Sequence, residues 1–164
     1  MHKSNYRIGF TLLELVIVMI ILGLLSTIAV TSLSGTLDNY KLTQATEVIQ
    51  RFDAYARRQA ANRRQPVHIT VQRLRNQLQV GASTDRERRL FRLPSGVSIG
   101  ETLFRRKTIA SGNFEIRFDQ DGGSPSYAME LTRGKRSQWI VVLGGSGQIL
   151  QMNQRGEVNE ILSL

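Results

Sequence analysis

The stretch FTLLELVIVMIILGLLSTIAV, residues 10–30, decides the architecture of this 164-residue chain. Its 21 residues carry a single charge, Glu14. About 20 apolar residues let a helix cross a bilayer, so the segment is long enough to span. Residues 1–9, MHKSNYRIG, are polar and hold Lys3 and Arg7 with no acid. That bias keeps the N-terminal side in the cytoplasm and sends the rest of the chain outward.

Three readings compete for this segment. A secretory signal peptide has a shorter apolar core and a small-x-small cleavage site; Ser26-Thr27-Ile28-Ala29 offers an indifferent one. A plain anchor fits the length but gives no reason for Glu14, since a carboxylate inside a spanning helix costs about 2.5–3.5 kcal/mol at its centre. The third reading supplies the reason. A cut between Gly9 and Phe10 creates an α-amino group, and the amine of a neighbouring subunit can pair with Glu14 in a packed helical bundle. Such a desolvated pair sets axial register. The run Gly9-Phe10-Thr11-Leu12-Leu13-Glu14 closely resembles the cleavage and N-methylation signal of type IV prepilins and pseudopilins. The resemblance implies a prepilin peptidase that cuts after Gly9 and methylates Phe10. It also implies that the following helix is retained as membrane anchor and filament core.

Beyond the apolar segment, Leu33, Leu37, Tyr40, Ala45, Val48, Phe52, Tyr55 and Ala56 recur at spacings of three and four. This is the pattern of one buried helical face. Gln65-Pro66 ends the helix. After Pro66 the period shifts towards two, with strands expected at residues 67–71, 77–80, 89–93, 97–99, 114–118, 127–132, 138–143 and 148–152. Arg155-Gly156 reads as a turn into one last edge strand. The expectation is an α+β fold in which a long N-terminal helix packs on a small domain of six to eight antiparallel strands. Residues 1–9 form a leader, 10–30 a transmembrane helix, 31–65 its amphipathic continuation and 66–164 a periplasmic β domain.

Within that superfamily the C-terminal part is similar to minor pilins of the GspH/FimT type. The similarity lies in residues 56–61, Pro66-Val67, Phe118-x-x-Asp121-Gly122, and Ile140-Val141-Val142 running into a glycine turn and Gln148-Ile149. It implies a minor pseudopilin of a type II secretion system or a minor pilin of a type IV pilus. Its partners would be other pilin-like subunits, the prepilin peptidase, the inner membrane and the secretion platform.

Composition removes other classes. With no cysteine and only His2 and His68, disulfide scaffolds, thiolate metal sites and Cys nucleophiles are excluded. Neither a dinucleotide fingerprint nor a phosphate-binding glycine loop with its Lys appears. No carboxylate pair or nucleophile arrangement is recognisable, so no enzyme, cofactor or metal is expected. Asp119-Gln120-Asp121-Gly122 invites a calcium reading, but the following residues lack a bidentate Glu, and a tight turn wants the same residues. His68 reads as a surface strand residue and Trp139 as core.

The net charge of +9 is concentrated: residues 51–92 hold eleven Arg against Asp53, Asp85 and Glu87. Arg57, Arg58, Arg63 and Arg64 form a candidate polyanion patch, because guanidinium forks suit phosphate. Some FimT-like pilins bind DNA for uptake through a Gly-Arg-x-Arg turn. Here that turn reads Gly144-Gly145-Ser146-Gly147-Gln148, without Arg. DNA uptake is therefore the alternative reading, and a secretion pseudopilin the principal one.

Overall fold

The computed structural model describes residues 10–81 and 88–163, with side chains of residues 28–34 left out. The leader, including Gly9, and the acids Asp85 and Glu87 lie outside these. Helix α1 runs Leu12–Arg63. The chain divides into two units, Met1–Leu37 and Asp38–Leu164.

In the first unit Thr11 caps α1: the Glu14 N–H donates to Thr11 Oγ1 at 3.3 Å. All twelve large apolar side chains from Leu12 to Leu25 are exposed. Among the described residues no helix is long and apolar enough to cross a membrane.

In the second unit α1 buries Leu42, Ala45, Ile49, Phe52, Ala56 and Ala60 on one stripe, with Thr46 and Asp53 beside them. Of the expected stripe, Ala45, Phe52 and Ala56 are buried and Val48 and Tyr55 pack half-buried against the core, whereas Leu37 (49% exposed) and Tyr40 (58%) are exposed; Leu42, Ile49 and Ala60 complete the buried face. The expected Leu33 lies outside the described side chains. The helix stops where Arg64 turns left-handed at φ 49° and Gln65 N–H reaches back to the Ala60 carbonyl at 3.4 Å, a left-handed C-terminal cap ahead of Pro66.

Nine strands follow among the described residues: β1 Val67–Gln72, β2 Gln77–Val80, β3 Arg89–Arg92, β4 Ser98–Phe104, β5 Lys107–Ile109, β6 Phe114–Phe118, β7 Tyr127–Arg133, β8 Arg136–Val142 and β9 Ile149–Met152. They form two antiparallel sheets, ordered β3-β2-β1-β6 and β5-β4-β7-β8-β9. In the first sheet Ile69 faces Val80 across one ladder and Ile116 across the other. His68 stands exposed on its surface, with Nδ1 3.8 Å from a Glu115 carboxylate oxygen.

The expected terminal edge strand is instead a helix, α2, Arg155–Ser163. The reason lies in β7 and β8, which are apolar on both faces. Tyr127, Met129, Leu131, Ile140 and Val142 join the main core with α1. Ala128, Trp139 and Val141 point the other way, into a second cluster with Leu103, Val158 and Leu162. A sheet apolar on both sides needs cover on both. Val158, Ile161 and Leu162, at helical spacing, provide it. Gly156, expected in a turn, is accommodated in the first turn of the helix. Trp139 is core, as expected, but of this second cluster.

Candidate functional site

Two places hold the residues singled out by the sequence. The first is the start of α1. Phe10 is 80% exposed and Glu14 stands on the open surface of the first turn. Thr11 and Glu14 occupy the N-cap and third helical positions, the T-x-x-E spacing of a capping box. A carboxylate in the first turn also meets the positive end of the helix dipole, which favours it by about 0.3–1 kcal/mol. The T-x-x-E spacing of the sequence itself carries this support for Glu14.

The second place is built around Arg57, which extends from α1 into the β domain. Its Nε donates to Asp53 Oδ2 at 2.6 Å, one helical turn back. Its Nη1 donates to the carbonyls of Gly122 at 3.0 Å and Gly144 at 2.6 Å, and its Nη2 to Ser124 Oγ at 3.0 Å. The guanidinium carbon lies 5.3 Å over the Phe118 ring. Asp53 is only 2% exposed, and its Oδ1 accepts a hydrogen bond from the buried Tyr127 hydroxyl at 3.1 Å. Burial, and then the Asp53 charge and hydrogen bond, push the Tyr127 hydroxyl well above its ordinary pKa of 10.0. The proton therefore stays on tyrosine.

Three of the short motifs thus meet at one guanidinium: the 56–61 stretch, Phe118-x-x-Asp121-Gly122, and the glycine turn after β8. The glycines permit the approach. Gly122 has φ +86°, and a Cβ there would lie 3.1 Å from the Arg57 carbonyl oxygen. At Gly144 a Cβ would run into the Ser124 carbonyl oxygen, with Pro125 C and Ser126 N each at 2.7 Å. The Asp119–Gly123 segment is a hydrogen-bonded turn, in which Asp119 N–H donates to the Gly123 carbonyl at 2.7 Å and Gly122 N–H to the Asp119 carbonyl at 2.8 Å. Asp121 Oδ1 accepts from Gly123 N–H at 3.1 Å, and so serves the turn's own backbone.

Arg57 therefore does not join Arg58, Arg63 and Arg64 in a surface patch. Those three are exposed, Arg58 and Arg63 on the last turns of α1 and Arg64 just past its end, with Arg58 Nε bonded to the Ala54 carbonyl. Arg73 is also turned inward, donating to the Ile99 carbonyl at 3.2 Å and the Ile109 carbonyl at 3.2 Å, which joins the two sheets. Arg count in the sequence does not separate such struts from surface charge. The separating signal for Arg57 was Asp53 one turn earlier, an i,i+4 acid–base pair inside an apolar stripe.

Residues 4–30 match the family model of the prokaryotic N-terminal methylation motif. The fold is similar to that of the type IV minor pilin FimU of Pseudomonas aeruginosa strain PAO1, with a TM-score of 0.50 at 14% identity over 71% of this chain and 91% of that one. No curated protein matches the chain.

Proposed function

We propose that this chain, a member of the type IV pilin and pseudopilin superfamily by its methylation motif and fold, is a minor pseudopilin of a type II protein secretion system. Prepilin peptidase cuts between Gly9 and Phe10 and methylates Phe10. The helix from Leu12 anchors the subunit in the inner membrane, with the N-terminus cytoplasmic and the β domain periplasmic, until the subunit enters the pseudopilus. The role is structural, as a subunit among other pilin-like subunits on the secretion platform.

One observation carries the reading: the exposed apolar surface from Leu12 to Leu25. Removing it from water stabilises by on the order of 10–20 kcal/mol if about half of each side chain's full burial is still to be gained. Lipid before assembly and neighbouring helices afterwards both supply that burial. Glu14, the one charge on this surface, then pairs with a subunit's N-terminal amine and sets the register. The glycine turn supports secretion over DNA uptake, because Gly144 is buried and its carbonyl is held by Arg57, so the turn serves the fold.

Mass spectrometry of the protein recovered from membranes tests the processing step. A mature chain beginning at N-methylated Phe10 is expected, and a start near residue 30 overturns the proposal. For the register, Glu14→Ala should be processed normally yet fail to co-assemble with the other subunits. Normal co-assembly removes the role assigned to Glu14. A gel shift with duplex DNA that weakens steeply with salt and on loss of Arg58, Arg63 and Arg64 favours the uptake alternative instead.

A further inference from the structure

Strand β3 is an edge of the first sheet, with its outer backbone groups unpaired by any other described strand. It lies against the flank of α1: Phe91 packs edge-on against Phe52 at 5.8 Å and tilted against Tyr55 at 5.8 Å. Beyond it the sheet stops short, leaving a cleft of about 430 Å³ between β3 and the helix. The half-buried Val48 and Tyr55 of α1 and Leu90 and Phe91 of β3 form its apolar lining. Arg51, Arg58, Arg89 and Arg92 surround it, and no carboxylate lines it among the described residues. Arg51 meets Glu47 at 3.9 Å with both side chains largely exposed, a weak pair open to exchange.

We infer that this cleft is a strand-addition site that receives an extended, acidic segment of a partner protein, paired to the outer edge of β3. Strand addition uses the unpaired backbone row of an edge, and side chains at alternate positions choose the partner. A strand about 4.8 Å beyond β3 lies over the half-covered flank of Val48 and Tyr55. Its apolar residues complete the cover of that flank, and its carboxylates meet the arginines. Nucleic acid fits the same charge less well. Bases bind by stacking on open rings, but the Arg89 guanidinium already sits 4.7 Å from the Tyr55 ring centre and 5.4 Å from that of Phe91. A guanidinium placed over rings still offers its N–H fork to a carboxylate. The site is independent of which machine the subunit serves, since it uses only the β domain and its own helix.

The test uses the full chain in detergent micelles and a fluorescent peptide of about eight residues, an ordinary strand length, alternating Glu and Val. Fluorescence anisotropy should show saturable binding in the range of about 10–100 μM. The same peptide N-methylated at every amide keeps its charge but can donate no backbone hydrogen bond from either edge, and should bind at least about tenfold more weakly. Arg89→Glu with Arg92→Glu should weaken binding by about tenfold or more. Arg51→Glu with Arg58→Glu, on the helix side of the cleft, should do the same without touching the sheet. Absence of saturation by about 1 mM overturns the inference. So does equal binding of the N-methylated peptide, or tighter binding of an oligothymidylate of equal charge, which assigns the cleft to nucleic acid.

Discussion

Replacing Asp53 with Asn leaves the shape of the Arg57 site intact and removes its only buried negative charge. Asp53 is 2% exposed, and the Arg57 side chain is 16% exposed, so water cannot take over the lost interaction. Breaking one partner of a buried pair costs about 3–5 kcal/mol, because the remaining charge is left uncompensated. The three carbonyl and hydroxyl acceptors of Arg57, in Gly122, Gly144 and Ser124, persist in the variant. They place the expected loss at the lower end, about 3 kcal/mol. For a domain of this size that lowers the melting temperature by roughly 10 °C. The assay is thermal and urea unfolding of the full chain in detergent, followed by Trp139, the sole tryptophan. Arg57→Met should lose a similar amount, since it strands the Asp53 carboxylate. The double variant Asp53→Asn/Arg57→Met should lose clearly less than the sum of the two single variants, because no unpaired charge remains. Asp53→Asn within about 0.5 kcal/mol of the parent, or strict additivity in the double variant, refutes the account.

The same network gives a pH dependence. The folded chain holds the Tyr127 proton above the ordinary pKa of 10.0, whereas the unfolded chain releases it there. The contribution is therefore complete below pH 10.0 and is lost as pH rises towards the folded value. Tyr127→Phe should cost about 1 kcal/mol at neutral pH through its hydrogen bond, yet flatten the alkaline fall in stability; equal alkaline slopes in urea titrations contradict this. Gly144→Ala should lose about 2–3 kcal/mol, because its Cβ meets backbone atoms that cannot swing aside. Gly145→Ala, with nothing within 4 Å, serves as the control, and matching urea midpoints for the two count against the packing argument. Val158→Asp places a charge in the cluster that covers Trp139, and should release α2 and shift Trp139 emission to longer wavelength. Unchanged emission shows that α2 is not what shields it.

The sequence by itself determined the N-terminal segment, the helix beyond it and most of the strands. These rest on local signals: an uninterrupted apolar run with one charge, a period of 3.6 closed by Gln65-Pro66, and alternation between turn clusters. Hairpin partners such as β7 and β8 also followed, because a short Arg133-Gly134-Lys135-Arg136 link leaves little choice. Only the tertiary structure decided the rest. Whether Tyr40 is core depends on which side of the helix the β domain covers, and nothing local records that. That residues 155–163 form a helix depends on the outward face of Trp139 and Val141 needing cover. Above all, eleven arginines look alike in a list of residues. Arg57 became an internal strut because distant glycines bring two loop carbonyls to it, while Arg89 and Arg92 became surface charge because their strand lies at a sheet edge. A charge acquires its role from its surroundings, and those surroundings come from segments far apart along the chain.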